Sequence, residues 1–286
     1  MKSDTKFLIV GLGLIGGCYA RRLTALGHRV CALDTDPDAI AYALEEGIIA
    51  RGAAMDEALV READVVIFGL YPKALLAWLR AHQGALRPGA LLTDVSGVKC
   101  GVVDEVQSFL RPDVEFVGAH PMAGREVSGV RNSDARIFQD ANFLITPTAR
   151  NTKAAVDAVH ELAEILGFAR ISVLTPKAHD EMVGFLSQLT HVIAMSLMNC
   201  NDNPDLAAYT GDSFRDLTRI ARINDRMWSE LFLLNREVLV RQIDAFSAEL
   251  AAVRQDLIDQ DEADLRERMR RSTARRALFD KERRPT

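Results

Sequence analysis

The run Gly11-Leu12-Gly13-Leu14-Ile15-Gly16 follows the apolar stretch at residues 7–10, and Asp34 closes a second apolar stretch at 28–33. The order strand, glycine-rich turn, helix, strand, acid is the opening of a dinucleotide-binding, Rossmann-type α/β domain. Gly11 permits a tight turn, Gly13 lets backbone N–H groups approach a pyrophosphate, and Gly16 lets the helix pack against the sheet. Leu12, Leu14 and Ile15 complete the loop and belong to the same expected cofactor site. The phosphates then meet a helix N-terminus, where unpaired donors and the helix dipole favour negative charge. Asp34 selects the cofactor. Its carboxylate accepts a hydrogen bond from a ribose 2′-hydroxyl and repels a 2′-phosphate. The residues that follow, Thr35-Asp36-Pro37-Asp38, hold no Lys or Arg to receive that phosphate, so the site reads as one for NAD.

A chain of 286 residues has room for two domains with real cores. Its net charge of −5 advertises neither nucleic acid nor a membrane surface as a partner. Cys18, Cys31, Cys100 and Cys200 lie far apart without a CxxC pair. A metal site and a disulfide framework are therefore not expected, and a reducing compartment is. No uninterrupted apolar run reaches the roughly 18 residues of a membrane span, and the glycine turn accounts for the apolar N-terminus better than a signal peptide does. A soluble cytoplasmic protein is the expectation.

Short apolar runs at 63–69, 90–95, 114–118, 142–146 and 169–173 read as further strands, with helical segments at 37–46, 73–82, 101–110 and 152–166. Alternation of this kind predicts a mainly parallel, doubly wound sheet with helices on both faces. From Thr175-Pro176 onward the pattern is helical, at 175–198, 213–222, 225–252 and 261–280. The expected division is residues 1–174 as an NAD-binding domain and 175–286 as an all-α domain. The arginine-rich tail from Arg266 to Arg284 is interrupted by acids and reads as a solvated helix face.

Ligand crevices in open α/β sheets lie beyond the carboxyl ends of the strands. Gly11, Asp34, Leu70, Ser96 and His120 each end a predicted strand and so gather at one edge. His120 is the candidate acid–base, because imidazole exchanges protons near neutral pH. The small residues of Gly118-Ala119-His120-Pro121-Met122-Ala123-Gly124 leave space for a substrate. The helix at 175–198 is apolar nearly all round, yet Asp180, Ser187 and His191 share one face with Gln188 at its edge. Buried polar groups are costly unless paired, so this stripe faces either a polar ligand or a hydrogen-bonded core network. Gln188 would offer a neutral donor to a substrate carbonyl. His179 reads only as a first-turn residue. Arg215 and Arg219 lie one helical turn apart, with Arg222 one further turn on, and suit carboxylate recognition; surface pairing with acids would explain them equally.

In order, the runs GLGLIGG from Gly11, DVSGVK from Asp94, HPMAGREVSG from His120, HDEMVGFLSQLTH from His179 and GDSFRDLTRIARINDRMW from Gly211 resemble the prephenate dehydrogenase family across nearly the whole chain. The resemblance implies NAD-dependent oxidative decarboxylation of prephenate to 4-hydroxyphenylpyruvate and CO2, in tyrosine biosynthesis. On it His120 takes or polarises the ring hydroxyl proton, Arg219 holds a substrate carboxylate, and Ser187 and His191 line the pocket. Family dimers intertwine their helical domains, and Trp228 matches an aromatic offered across that interface. The chain departs from the pattern in three places. Ser96-Gly97 reverses the Gly-Ser of many members, whose serine supports the catalytic histidine, and Ser96 is the candidate for that catalytic role here. Gln188 and Thr190 replace a histidine and a proline, and Asp212-Ser213 replace two glycines. No segment resembles the chorismate mutase or ACT domains of some relatives, so any tyrosine inhibition is expected to act within these two domains. Arogenate dehydrogenase, another two-domain hydroxyacid dehydrogenase and a non-catalytic NAD sensor are the competing readings. Asp212 is the residue that would serve arogenate's ammonium.

Overall fold

The strands at the centre of the sheet are mostly apolar and nearly all buried, as parallel strands covered by helices on both faces must be; Thr93 and Asp94 of the fifth are the buried polar exceptions. The structure, a computed structural model, describes residues 1–125 and 127–280. These form one eight-stranded sheet from β1 (Lys6–Val10), β2 (Arg29–Leu33), β3 (Arg51–Ala53), β4 (Val65–Phe68), β5 (Leu91–Asp94), β6 (Glu115–Met122), β7 (Asn142–Thr146) and β8 (Arg170–Val173). The order is β3-β2-β1-β4-β5-β6-β7-β8, parallel throughout except where β6 meets β7.

The helices of the sheet region are α1 (Leu14–Ala25), α2 (Pro37–Glu45), α3 (Glu57–Glu62), α4 (Pro72–His82), α5 (Cys100–Phe109) and α6 (Lys153–Leu166). Alternation along β1 sorts them into two layers. Phe7 and Ile9 face one core with Tyr19 and Leu23 of α1 and Leu162 of α6. Leu8 and Val10 face the other with Leu75 and Leu79 of α4 and Val102 and Val106 of α5. The doubly wound architecture is therefore as the sequence predicts. Short elements are the exception, since a three-residue β3 and a six-residue α3 carry too few residues for a period.

One difference bears on function. β6 does not stop at Gly118 but runs through His120-Pro121-Met122, because β7 pairs antiparallel with it there, His120 opposite Leu144. His120 is thus held inside a strand rather than in the loop after one.

After β8 come α7 (Pro176–Val183), a π-helical turn (Gly184–Leu189), α8 (Thr190–Asn199), α9 (Asp212–Thr218), a 3₁₀ turn (Arg219–Ala221), α10 (Asp225–Leu234), α11 (Arg236–Asp259) and α12 (Glu262–Ala277). Thr175 caps α7 by accepting a hydrogen bond from the Ala178 N–H, ahead of Pro176 in the first turn. The expected all-round burial of this helix is not observed: Phe185 and Leu186 are 54% and 45% exposed. Among the described residues the stretch Pro176–Asn199 alone has the length and composition to cross a bilayer. Its His179, Asp180 and Gln188 are nonetheless buried in hydrogen bonds to the rest of the protein.

By packing, the chain divides into Met1–Arg236 and Glu237–Thr286. Residue 174 marks the end of strand structure, but the packing boundary lies later than 174/175. The reason is that α7 and α10 join the α/β core: Asp180 binds the start of α5, and Leu231 is buried with α4 and α5. In the second unit the tail arginines are matched to acids, Arg266 with Glu262, Arg268 with Asp256, Arg270 with Glu267, Arg271 with Glu249 and Arg276 with Asp280. That is the solvated face expected; Arg283 and Arg284 lie outside the described residues.

Candidate active site

Gly11 has φ +99°, a conformation that L side chains rarely adopt, and turns the chain from β1 into α1. A Cβ on Gly16 would stand 2.0 Å from the Gly11 carbonyl oxygen, so only glycine lets α1 approach this closely. A Cβ on Gly13 would meet nothing within 4 Å, which leaves open space above the turn. Gly13 caps α1 with no side-chain hydrogen bond, and its first turn has no acid, so its leading N–H groups suit an anion. Asp34 accepts hydrogen bonds from the Leu12 N–H (2.5 Å) and the Asp36 N–H (2.8 Å), so it braces the turn from the end of β2. Leu12 is buried and contributes its backbone rather than its side chain. These features fit a dinucleotide. Gly69, just beyond β4, completes the cradle, a role its place at the end of an apolar run does not reveal. A Cβ there would stand 2.7 Å from the Gly11 oxygen, so β4 and the turn also need glycine to touch.

A cavity of about 710 Å³ opens from this turn. Gly13, Leu14, Ile15 and Leu70 line it together with His120 and Ser96 and with Ser187, Gln188, His191, Arg219 and Trp228. Arg125, which also faces Asp134 at 3.8 Å, and Arg222 line it too. Gly11, Leu12, Gly16 and Asp34 shape the turn without lining the cavity. Arg215 is not brought to it, being exposed and paired with Asp212 at 3.1 Å. Asp212 is likewise 95% exposed.

His120 leads into a chain of buried groups. Its Nδ1 lies 2.9 Å from Nε2 of His179, whose Nδ1 lies 2.8 Å from Oδ1 of Asp180. The Asp180 carboxylate also accepts from the backbone N–H groups of Lys99 and Cys100, each at 2.8 Å, where α5 begins. Burial opposes the charge on Asp180, but the His179 hydrogen bond and those N–H groups hold its carboxyl below the usual range. Beneath His120, the fully buried Lys99 ammonium donates to Asp94 (2.6 Å) and to the Ala119 carbonyl (2.5 Å), and Asp94 in turn accepts from the Ala119 N–H (2.9 Å). Burial lowers the pKa of Lys99, against the pull of Asp94. Burial, then the neighbouring His179 and Lys99, push the pKa of His120 well below that of an ordinary histidine. Burial likewise lowers His179. The thiol of Cys100 is pushed up to about 12 by burial and by Asp180, which removes it as a nucleophile.

Two expected substrate contacts look different in three dimensions. Gln188 is 1% exposed, and its amide accepts from Asn235 Nδ2 (2.7 Å) and donates to the Leu231 carbonyl (3.3 Å). It therefore fastens the π turn to α10. Trp228 stacks on His191 of its own chain, with ring centroids 3.7 Å apart. His191 Nδ1 donates to the Ser187 carbonyl at 2.9 Å. The Ser96 hydroxyl is buried without a partner among the described residues. Position 97 adjoins the imidazole, since a Cβ there would stand 3.9 Å from His120 Cε1. His179, Lys99 and Asp94 carry no local signal, because 59, 21 and 26 residues separate them from His120 and only the tertiary fold brings a helix, a helix N-terminus and a neighbouring strand together there.

The profile of the prephenate dehydrogenase nucleotide-binding domain matches residues 19–181, and that of the prephenate dehydrogenase dimerization domain matches 175–271. The chain belongs to the prephenate dehydrogenase family. It is similar to prephenate dehydrogenase of Bacillus subtilis (strain 168), with 30% identity over 90% of this chain and 71% of the relative. It is also similar to cyclohexadienyl dehydrogenase of Zymomonas mobilis, with 31% identity over 88% of each. Among solved structures it resembles prephenate dehydrogenase from A. aeolicus in complex with hydroxyphenyl propionate and NAD+, at TM-score 0.90 and 29% identity over 98% of this chain and 99% of that one. The protein is an NAD-dependent dehydrogenase of this family, with a small-molecule substrate and a dimerization domain.

Proposed function

We propose that the protein oxidatively decarboxylates prephenate to 4-hydroxyphenylpyruvate and CO2 in tyrosine biosynthesis, working as a homodimer. The observation that carries this reading is the single cavity that joins the glycine turn to His120 and to Arg219. NAD+, when bound on that turn, supplies the hydride acceptor. His120 receives the hydrogen bond of the C4 hydroxyl and holds its proton as C4 becomes a carbonyl carbon. Arg219, with Arg222 and Arg125 in the same cavity lining, offers guanidinium forks to the substrate's carboxylates. The apolar walls formed by Leu70, Met227 and Leu231 keep water from the reacting carbon. When the ring carboxylate leaves as CO2, its bonding pair enters the ring, and the oxygen keeps or recovers its proton as the phenol.

Arogenate carries an ammonium where prephenate has a keto group. Gln188, committed to Asn235, supplies no preference, and Asp212 does not line the cavity. The cavity's arginines favour the substrate without the ammonium. NADH formation measured with prephenate and with arogenate should show at least about a tenfold higher kcat/KM for prephenate, near 1.4 kcal/mol. Arg219→Ala should lower kcat/KM for prephenate by about 10- to 150-fold, the loss of one charge-assisted hydrogen bond. A preference for arogenate would reverse the substrate assignment. Unchanged kinetics in a folded Arg219 variant would make that arginine structural. The four cysteines, all free thiols, support a reducing compartment, and the cytoplasm is where the protein is proposed to work.

A further inference from the structure

The geometry points to His179 and Asp180 as positioning residues that fix the tautomer of His120, so that its Nε2 is bare toward the cavity. The inference rests on the proposed role of His120 as proton acceptor and adds what makes it one. The tautomer follows from the anchored end of the chain of groups. Asp180 is held as a carboxylate by two backbone N–H groups at the start of α5, so toward His179 it can only accept. His179 Nδ1, 2.8 Å away, must therefore carry its hydrogen. His179 is fully buried, an environment that favours the neutral ring. With Nδ1 protonated in a neutral imidazole, Nε2 has only a lone pair. At 2.9 Å from that lone pair, His120 Nδ1 is the donor, and the lone pair of His120 lies on Nε2.

Nothing else in the described structure performs this task. The Lys99 ammonium donates to Asp94 and the Ala119 carbonyl, which stiffens the strand beneath His120 without touching its ring nitrogens. Ser96 makes no hydrogen bond to it, and position 97, whose Cβ would adjoin the ring, is glycine. A histidine that can rotate, or hold its hydrogen on Nε2, presents a donor to the substrate hydroxyl instead of an acceptor. The role is selective: it serves proton transfer and leaves cofactor and substrate binding to other residues.

The test combines kinetics with the nitrogen NMR of ¹⁵N-histidine-labelled protein. The chain has six histidines, and His120 is assigned by the signals lost in His120→Asn. In the wild-type spectrum at neutral pH, His120 is expected with hydrogen on Nδ1 and none on Nε2. His179→Phe removes the acceptor. It should mix or reverse the tautomer and lower kcat on the order of 10- to 100-fold, the usual cost of losing the group that orients a functional histidine. KM for prephenate and the Kd for NAD+ should stay within about twofold. His179→Gln keeps a carbonyl acceptor and should recover most of kcat and the wild-type tautomer. A wild-type His120 with hydrogen on Nε2 overturns the proposal, as does a His179→Phe enzyme with full kcat. So does a His179→Gln enzyme no better than a folded His179→Phe. Should His179→Phe fail to fold, the wild-type spectrum and His179→Gln still decide. The spectrum needs no turnover, so an enzyme inactive on prephenate would sink the substrate assignment while leaving this inference testable.

Discussion

His120 can accept a proton only while its ring is neutral, and its surroundings favour that form from several sides. Burial comes first, followed by the neighbouring His179 ring and the Lys99 ammonium. The groups facing the pair include Asp94 from β5, Lys99 and Cys100 at the start of α5, and Asp180 from α7, while Arg219 and Arg222 face the same cavity. Because the folded pKa is lowered, the base is ready through neutrality and is lost only as pH falls through that lowered value. The kcat/KM profile, which reports the free enzyme, should be flat from neutrality down and then fall on the acid side. Its midpoint should lie below the ordinary histidine value of about 6.5. His120→Asn should abolish that limb and lower kcat by roughly 10²–10⁴-fold. A midpoint at or above the ordinary value would show that the buried environment does not set the base. The sequence makes His120 itself legible, through its strand and the small residues after it. His179 reads as a first-turn residue because nothing local to its helix reveals a partner on a distant strand.

At the scale of elements, the glycine turn separates two jobs that one motif conceals. Gly16 is a packing residue: a Cβ would meet the Gly11 carbonyl oxygen at 2.0 Å, a backbone atom with nowhere to go. Gly13 is a ligand-access residue, with open space where its side chain would lie. Gly16→Ala should therefore lower the Tm of the protein without ligand and weaken NAD+ as a consequence. Gly13→Ala should leave that Tm within about a degree or two, since surface changes away from special features stay near ±0.5 kcal/mol. It should still weaken NAD+ in titration calorimetry, by filling the approach to the pyrophosphate. Equal Tm losses in both variants would defeat this division. The motif and its flanking strands are legible because local spacing encodes them. The helix after Thr175 is legible as a helix, but its π turn is not. That turn places Ser187 and His191 on the cavity while Asp180 points to α5. A regular helix would carry all three on one face, as their spacing suggests. The break at Asn235 is hidden for a related reason. Asn235 fits a helical pattern, yet its side chain donates to the Asp180 carbonyl and the Gln188 amide, a tertiary demand that periodicity does not contain.

At the scale of the molecule, the second unit does not look like a structure that ends at its own surface. Phe246, Leu250 and Leu257 of α11 are 39%, 59% and 62% exposed, and Met269 of α12 is 64% exposed. Phe246, Leu250 and Leu257 fall four and seven residues apart, the spacing of one helix face. Monomers rarely leave contiguous apolar faces to water, and residues 175–271 match a dimerization domain. The expected explanation is a second copy of the chain laid on this face. Burying a leucine contributes about 1.5–3 kcal/mol, and a two-fold interface uses each residue twice. Two leucines, each about three-fifths exposed beforehand, then contribute roughly 4–7 kcal/mol to the dimer, or more than about 10² in its dissociation constant at a factor of ten per 1.4 kcal/mol. Light scattering coupled to size-exclusion chromatography at micromolar concentration should report a dimer for the wild type. Leu250→Glu with Leu257→Glu should report a monomer, with the circular dichroism of the Met1–Arg236 unit's sheet preserved. If the wild type is monomeric, or the double variant remains a dimer, this face is not the interface.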